Sequence, residues 1–295
     1  MTRNTSKLVI VFGASGALGE EIIKQLNSIN INQLGLHRRD YDLTSSISDL
    51  IKKLDDLNPK VIINCVSYNG YDKCSENPAL AYEVNGIFPQ KLQLVSNILG
   101  VKLIHISSEA VFLGDRVGIT YTESDLPNPG TIYGKSKYIG EGAGYGLTAE
   151  TSGFHVIRLP LLFGPTNRGQ IVAKLVESAV TGSILNISND VYSTPAYTPH
   201  VARKIISMAL SEDYLPKIVH ITSNHLISLS DFISGVLTKL GNYVVVKPVS
   251  SSYFSTKIDK PLNYGLSSIY KNYDNLIKFD ESETEYVNYL KNGFI

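Results

Sequence analysis

Tyr133 and Lys137 stand four residues apart in Tyr133-Gly-Lys-Ser-Lys137, and on a helix positions i and i+4 share a face. A phenol and an ammonium on one side of a cleft make a proton donor. The cation stabilises phenolate and lowers a pKa that is about 10 in water, so the tyrosine can exchange a proton with a carbonyl oxygen near neutral pH. Alone, such a pair is a common accident of exposed helix faces. Roughly 25 residues earlier comes His105-Ile-Ser-Ser108-Glu109, at the end of the strand-like run Lys102–Ile106. In a parallel sheet that end opens onto the ligand crevice, where the Ser108 hydroxyl can bind the same oxygen. Gly13-Ala-Ser-Gly16-Ala-Leu-Gly19 lies directly behind the apolar run Leu8–Phe12. A strand that passes through a glycine turn into a helix directs backbone N–H groups and the positive helix end at one point, where a pyrophosphate fits. Glycine turn, strand-end serine and YxxxK in this order are far more specific than any one of them.

The elements that must carry these groups alternate. Lys7–Phe12, Gln33–His37, Val61–Asn64, Lys102–Ile106 and Phe154–Arg158 read as strands, with helical patterns between them. That alternation predicts an α/β fold, a Rossmann-like doubly wound parallel sheet. Leu18–Leu26 has helical spacing. Thr44 or Ser45 is placed to cap a helix through Ile47, Leu50, Ile51 and Leu54, and Asn77-Pro78 reads as N-cap and first turn of another. Gly86 and Pro89 predict a break before Leu92–Leu99. Gly142, Gly144 and Gly146 end the YxxxK helix early, and His105 reads as a core histidine. Residues 1–160 form the expected dinucleotide domain and 161–295 a smaller α/β substrate lobe, with the helix near 198–212 packing back on the first.

Bulk properties exclude several functions. Across 295 residues, 27 basic groups balance 27 acidic ones, which leaves no electrostatic case for nucleic acid or an anionic membrane. No apolar run of about 18 residues is present. Cys65 and Cys74 lack zinc-site spacing and are too few for a disulfide framework. A cytoplasmic, reduced, metal-free protein is the expectation.

At this point the chain resembles the extended short-chain dehydrogenase/reductase superfamily, and within it the dTDP-4-dehydrorhamnose reductase family. The likeness runs almost end to end. Asn64-Cys-Val-Ser67 is similar to the strand segment beside the cofactor, Tyr71-Asp72-Lys73-Cys-Ser-Glu76 to a V-D-K-A-E stretch, and Asn85 to the asparagine of the next helix. Ile106-Ser-Ser108-Glu-Ala-Val-Phe112 resembles S-T-D-Y-V-F, Tyr133–Glu141 resembles Y-G-x-x-K-x-x-G-E, Asn189–Pro195 resembles N-D-Q-x-G-x-P-T, and Lys260-Pro261 with Leu266 a late R-P…L element. The resemblance implies reduction of the C4 ketone of a nucleotide-activated 4-keto-6-deoxyhexose for surface polysaccharide precursors. Tyr133 would donate the proton, Lys137 would hold the nicotinamide ribose, and Ser108 would bind the substrate oxygen. Gly13, Ser15, Gly16, Ala17, Leu18, Gly19, Cys65, Val66, Ser67 and Ile106 would line the cofactor, with Asp42 and Leu43 at the adenine. Glu109, Leu161, Asn189 and Asp190 would face the sugar. Family members often form homodimers.

An acid ending strand two would bind a ribose 2′-OH and repel a 2′-phosphate. This chain has His37-Arg38-Arg39 there, and guanidinium suits phosphate, so NADPH is expected over NADH. Departures gather on the sugar side. Glu109 and Ala110 replace the family's aspartate and tyrosine, Leu161 its tryptophan, and Val191 its glutamine. Two other readings stay open. One is a nucleotide-sugar epimerase or dehydratase, although a dehydratase would usually carry a second acid after Glu109. The other is a non-catalytic NADP-binding subunit resembling the regulatory subunit of methionine adenosyltransferase.

Overall fold

Strands buried on both faces need apolar, β-branched runs without alternation, and the computed structural model places such runs at the centre of one sheet. It describes residues 8–142, 153–165, 170–180, 182, 184–213, 215–241, 244–254, 260–271 and 278–293. The strands are β1 (Val9–Phe12), β2 (Gln33–Leu36), β3 (Val61–Asn64), β4 (Lys102–Ser108) and β5 (Phe154–Leu159), with Ile218–His220 beyond β5. Their order is Ile218–His220, β5, β4, β3, β1, β2, and β1 through β4 pair in parallel. Order reverses about β1, so the ligand crevice of such a sheet lies at the carboxyl end of β1.

Helices α1 (Ala17–Ser28), α2 (Ile47–Leu57), α3 (Tyr71–Glu76), α4 (Pro78–Tyr82), α5 (Phe88–Leu99) and α6 (Ile132–Gly140) fill the crossovers. Ile10, Phe12, Leu54, Ile62, Phe88, Leu92, Val95 and Leu103 share one core with them. Two expected local signals resolve differently. Ser46, not Thr44 or Ser45, caps α2 by accepting from the Asp49 N–H, because Thr44 and Ser45 are used in a turn on Asp42. Gly86 and Pro89 do not break the chain. A π-helical turn, Glu83–Ile87, joins α4 to α5 and absorbs the irregularity. Asn77 caps α4 with Pro78 in its first turn. Strand β4 runs two residues past Ile106 to reach Ser108, whereas β2 stops before His37.

Compact units do not follow a single cut near residue 160. One comprises residues 1–111, 131–158 and 202–219, and the other 112–130, 159–201 and 220–295, so the helix Thr198–Leu210 contributes to both. The second unit has its own core, centred on Phe163, Phe232, Val236, Phe279 and Tyr286. It is α/β as well, with two- and three-stranded sheets among its described residues. No helix among the described residues is long and apolar enough to cross a membrane.

Candidate active site

The glycine turn after β1 is built by close approach. Gly13 has φ +76°, and a Cβ there would lie 2.9 Å from the Cys65 carbonyl carbon and the Val66 nitrogen. A Cβ on Gly19 would strike the Gly13 carbonyl oxygen. Gly16 is different: the nearest atom to its added Cβ is the Gly13 oxygen at 3.4 Å, and it caps α1 without any side-chain hydrogen bond. Orphan N–H groups of a helix start then face outward past Ser15, Ala17 and Leu18. This is the geometry a pyrophosphate fits, so the residues present suit a dinucleotide.

Beyond β2, residues 37–40 make a tight turn. The Asp40 N–H donates to the His37 carbonyl at 2.8 Å, and the Asp40 carboxylate accepts from the His37 N–H at 2.7 Å. Arg38 and Arg39 project from it into solvent, Arg39 sitting 3.7 Å from Asp40. Asp42 accepts from the Thr44 amide and hydroxyl, both at 2.8 Å, bonds that hold its carboxyl below the usual range. The Leu43 carbonyl accepts from Lys91 at 3.1 Å.

The residues expected to move a proton gather near the ends of β3 and β4. Thr131 caps α6 through the Gly134 N–H, and α6 ends at Gly140, with Gly142 at φ +89°. Gly144 and Gly146 lie outside the described residues. Lys137 is 2% exposed, and its Nζ donates to the Ile106 carbonyl at 2.7 Å. Burial pushes its pKa down to about 8, against the raising influence of Glu141, Cys65, Cys74 and Glu109. Tyr133 is half-buried. Its hydroxyl lies 3.5 Å from Asn69 Oδ1, and its ring meets Tyr71 edge-on at 5.5 Å.

One sequence expectation fails here. Tyr133 is raised above its ordinary pKa, by burial first and the Glu109 charge second, while the Ser108 and Ser67 hydroxyls pull it down. The Lys137 ammonium donates to the Ile106 carbonyl, and burial prevails at the phenol. Tyr133 therefore rests protonated. Ser108 Oγ accepts from the Ala110 N–H at 3.2 Å and donates to Glu109 Oε2 at 2.8 Å. Burial pushes the Glu109 carboxyl up to about 7, opposed by the Ser108 bond, its own backbone and Lys137.

Behind this surface lies a network that spacing alone did not reveal. Arg158 on β5 and Glu141, both buried, pair in fork geometry at 2.9 and 2.7 Å, and Ser107 Oγ donates to the same carboxylate at 2.5 Å. Asn85, in the π-turn, accepts from the Tyr68 N–H at 2.8 Å and donates to the Tyr68 carbonyl and Ser136 Oγ at 3.0 Å each. Ser67 Oγ donates to Asn69 Oδ1 at 2.5 Å. Asn69 carried no motif; an Asn-Gly pair just past a strand end was its only signal. His105 is a core histidine: its Nδ1 meets Asn64 at 3.1 Å, and burial, then Lys137, keeps it neutral.

Of the residues expected on the sugar side, Glu109 lies in the first unit beside Ser108, whereas Leu161, Asn189 and Asp190 belong to the other. The Leu161 carbonyl accepts from the Ala196 N–H at 2.8 Å, and the Asn189 N–H donates to the Val249 carbonyl at 2.9 Å. Asp190 takes hydrogen bonds from Ser250 Oγ and from the Ser251 N–H and hydroxyl, so its carboxylate anchors a turn. No cluster of potential metal ligands occurs among the described residues.

Comparison with known proteins gives consistent relationships. The chain is 26% identical over 253 residues to the spore coat polysaccharide biosynthesis protein SpsK of Bacillus subtilis, covering 86% of each. It is 26% identical over 269 residues to dTDP-4-dehydrorhamnose reductase of Mycobacterium tuberculosis, covering 89% of this chain and 86% of that one. Over 182 residues it is 32% identical to methionine adenosyltransferase 2 subunit beta of Rattus norvegicus, covering 60% and 51%. A dTDP-4-dehydrorhamnose reductase structure from Clostridium acetobutylicum superposes with TM-score 0.86 at 27% identity, covering 96% and 99%. One from Bacillus anthracis, in complex with NADP, gives 0.84 at 24%, with the same coverage. The family model described as the RmlD substrate binding domain matches residues 7–292, and the chain belongs to that family, as a dTDP-4-dehydrorhamnose reductase-like extended short-chain dehydrogenase/reductase.

Proposed function

We propose that the protein reduces the C4 ketone of a nucleotide-activated 4-keto-6-deoxyhexose, using NADPH, in the supply of surface polysaccharide precursors. The observation that carries this reading is the convergence of Ser108, protonated Tyr133 and buried Lys137 at the ends of β3 and β4 in a family with named dTDP-sugar reductases. When bound, the reduced nicotinamide supplies hydride. The chain's own part is to hold the cofactor on the Gly13–Gly19 turn, to polarise the ketone through Ser108, and to protonate the oxygen from Tyr133. Lys137 would hold the nicotinamide ribose.

The test is NADPH consumption with a panel of nucleotide 4-keto-6-deoxysugars. Turnover by the wild type with loss of about 10²–10⁴-fold in Tyr133→Phe is expected. Tight NADPH binding with no turnover on any sugar would instead favour a binding subunit, which the 32% likeness to the methionine adenosyltransferase subunit supports. Preference for NADPH rests on Arg38 and Arg39 in the turn past β2, and on NADP in the Bacillus anthracis relative. Arg38→Ala should raise KM for NADPH about tenfold and leave that for NADH nearly unchanged. A wild type that prefers NADH sinks this part.

A further inference from the structure

We infer that Glu109 is a positioning residue whose ionisation decides whether the Ser108 hydroxyl faces a ketone or an alcohol; this rests on the reductase reading above. A hydroxyl has one proton to donate and two lone pairs. In the structure Ser108 Oγ accepts from the Ala110 N–H, and its proton is committed to Glu109 Oε2. What remains toward Tyr133 and a ligand is a lone pair. A ketone oxygen only accepts, so it meets that lone pair unfavourably, whereas an alcohol can donate to it. Once the carboxyl carries a proton, it donates to Ser108 Oγ and the serine proton turns to the ketone.

Both forms are within reach near neutral pH, because burial lifts the Glu109 carboxyl to about 7. The titratable groups of α6 that face it are Tyr133 and Lys137. Tyr133 stays protonated throughout this range. Lys137, lowered to about 8, still carries its charge through most of it. Reduction adds hydride to the carbonyl carbon and the Tyr133 proton to its oxygen. Glu109 and Ser108 keep their proton counts, so they orient the substrate without being consumed.

The sign follows directly. As pH rises from 6 to 7.5, wild-type kcat/KM for ketone reduction should fall about fourfold while the alcohol product binds more tightly. A purely structural Glu109 would not drive the two in opposite directions. In Glu109→Gln the amide N–H donates to Ser108 Oγ at every pH, so both trends should flatten between pH 6 and 7.5, whatever the absolute rate. Product affinity is read by calorimetry on the NADP-bound enzyme, and ketone reduction by NADPH absorbance. In parallel, ¹³C NMR of glutamate-labelled protein should show one carboxyl titrating near 7 that vanishes in Glu109→Gln. Parallel pH trends, their persistence in the variant, or a carboxyl titrating in the ordinary range would overturn the inference alone. Absence of turnover on every sugar would remove the reductase reading and this inference with it.

Discussion

The two ends of α6 are held in opposite ways. At its first turn Tyr133 is half-buried, reaches Asn69 only at 3.5 Å and touches the Tyr71 ring. At its last turn Lys137 bonds the Ile106 carbonyl, and Glu141, at the helix C-cap, is fixed by Arg158 and Ser107. Tyr133, the proposed proton donor, is lightly restrained. The charge beneath it is over-determined, so its position is set before any ligand arrives. Electrostatic preorganisation of this kind needs rigidity only where charge must stay put.

Breaking the rigid end should cost most. Arg158→Met leaves the buried Glu141 carboxylate without its fork partner, with the Ser107 hydroxyl and the more distant Lys137 charge remaining, and removal of one partner from a buried pair costs about 3–5 kcal/mol. Chemical denaturation of the variant should show a loss of that order, and expression of little folded protein is the extreme of the same outcome. A loss under about 1 kcal/mol would mean the pair is no more than a surface-type contact, and the contrast between the helix ends would collapse.

Gly140→Ala tests the same end without touching charge. Its Cβ would strike the Asn85 carbonyl oxygen and approach His105 Nε2 at 3.2 Å, so α6 must shift away from the π-turn. Overpacking of this kind costs about 1–3 kcal/mol. Because Lys137 rides on that helix, kcat should fall more than KM rises. A stable, fully active Gly140→Ala would show that the close helix contact serves packing alone.

How much of this was legible in the sequence depends on whether a feature is local. The glycine turn, the strand carrying Ser108 and the YxxxK helix rest on short-range signals: apolar runs, glycines spaced three apart and a four-residue Tyr–Lys spacing. All appear where those signals place them. Charge partners were less legible, since Arg158 and Glu141 are 17 residues apart and meet only because β5 lies beside β4. The state of Tyr133 was misread for the same reason. Spacing put an ammonium on its face of the helix, but only the packed structure shows that ammonium turned to Ile106 and the half-buried phenol facing the Glu109 charge. The π-turn was hidden because Gly86 and Pro89 announce irregularity without saying which kind.

The lightly held end makes the smallest and most selective prediction. Asn69 is exposed, and its Oδ1 accepts from Ser67 and lies 3.5 Å from the Tyr133 hydroxyl. Asn69→Ala removes no buried atom, so stability should change by no more than about 0.5 kcal/mol. Its effect should fall on catalysis, because Tyr133 loses the acceptor that orients its proton at rest. A net hydrogen bond of about 0.5–1.5 kcal/mol corresponds to roughly a two- to tenfold change in rate. The direction is informative. If Asn69 holds the phenol ready, kcat/KM falls; if Asn69 competes with the substrate oxygen for that proton, kcat/KM rises. The 3.5 Å separation is too long for a strong bond, which leaves Asn69 a weak competitor and an adequate guide, so a modest fall in kcat/KM with an unchanged denaturation midpoint is the expected result. A stability loss comparable to Arg158→Met would erase the distinction between the two ends of the helix.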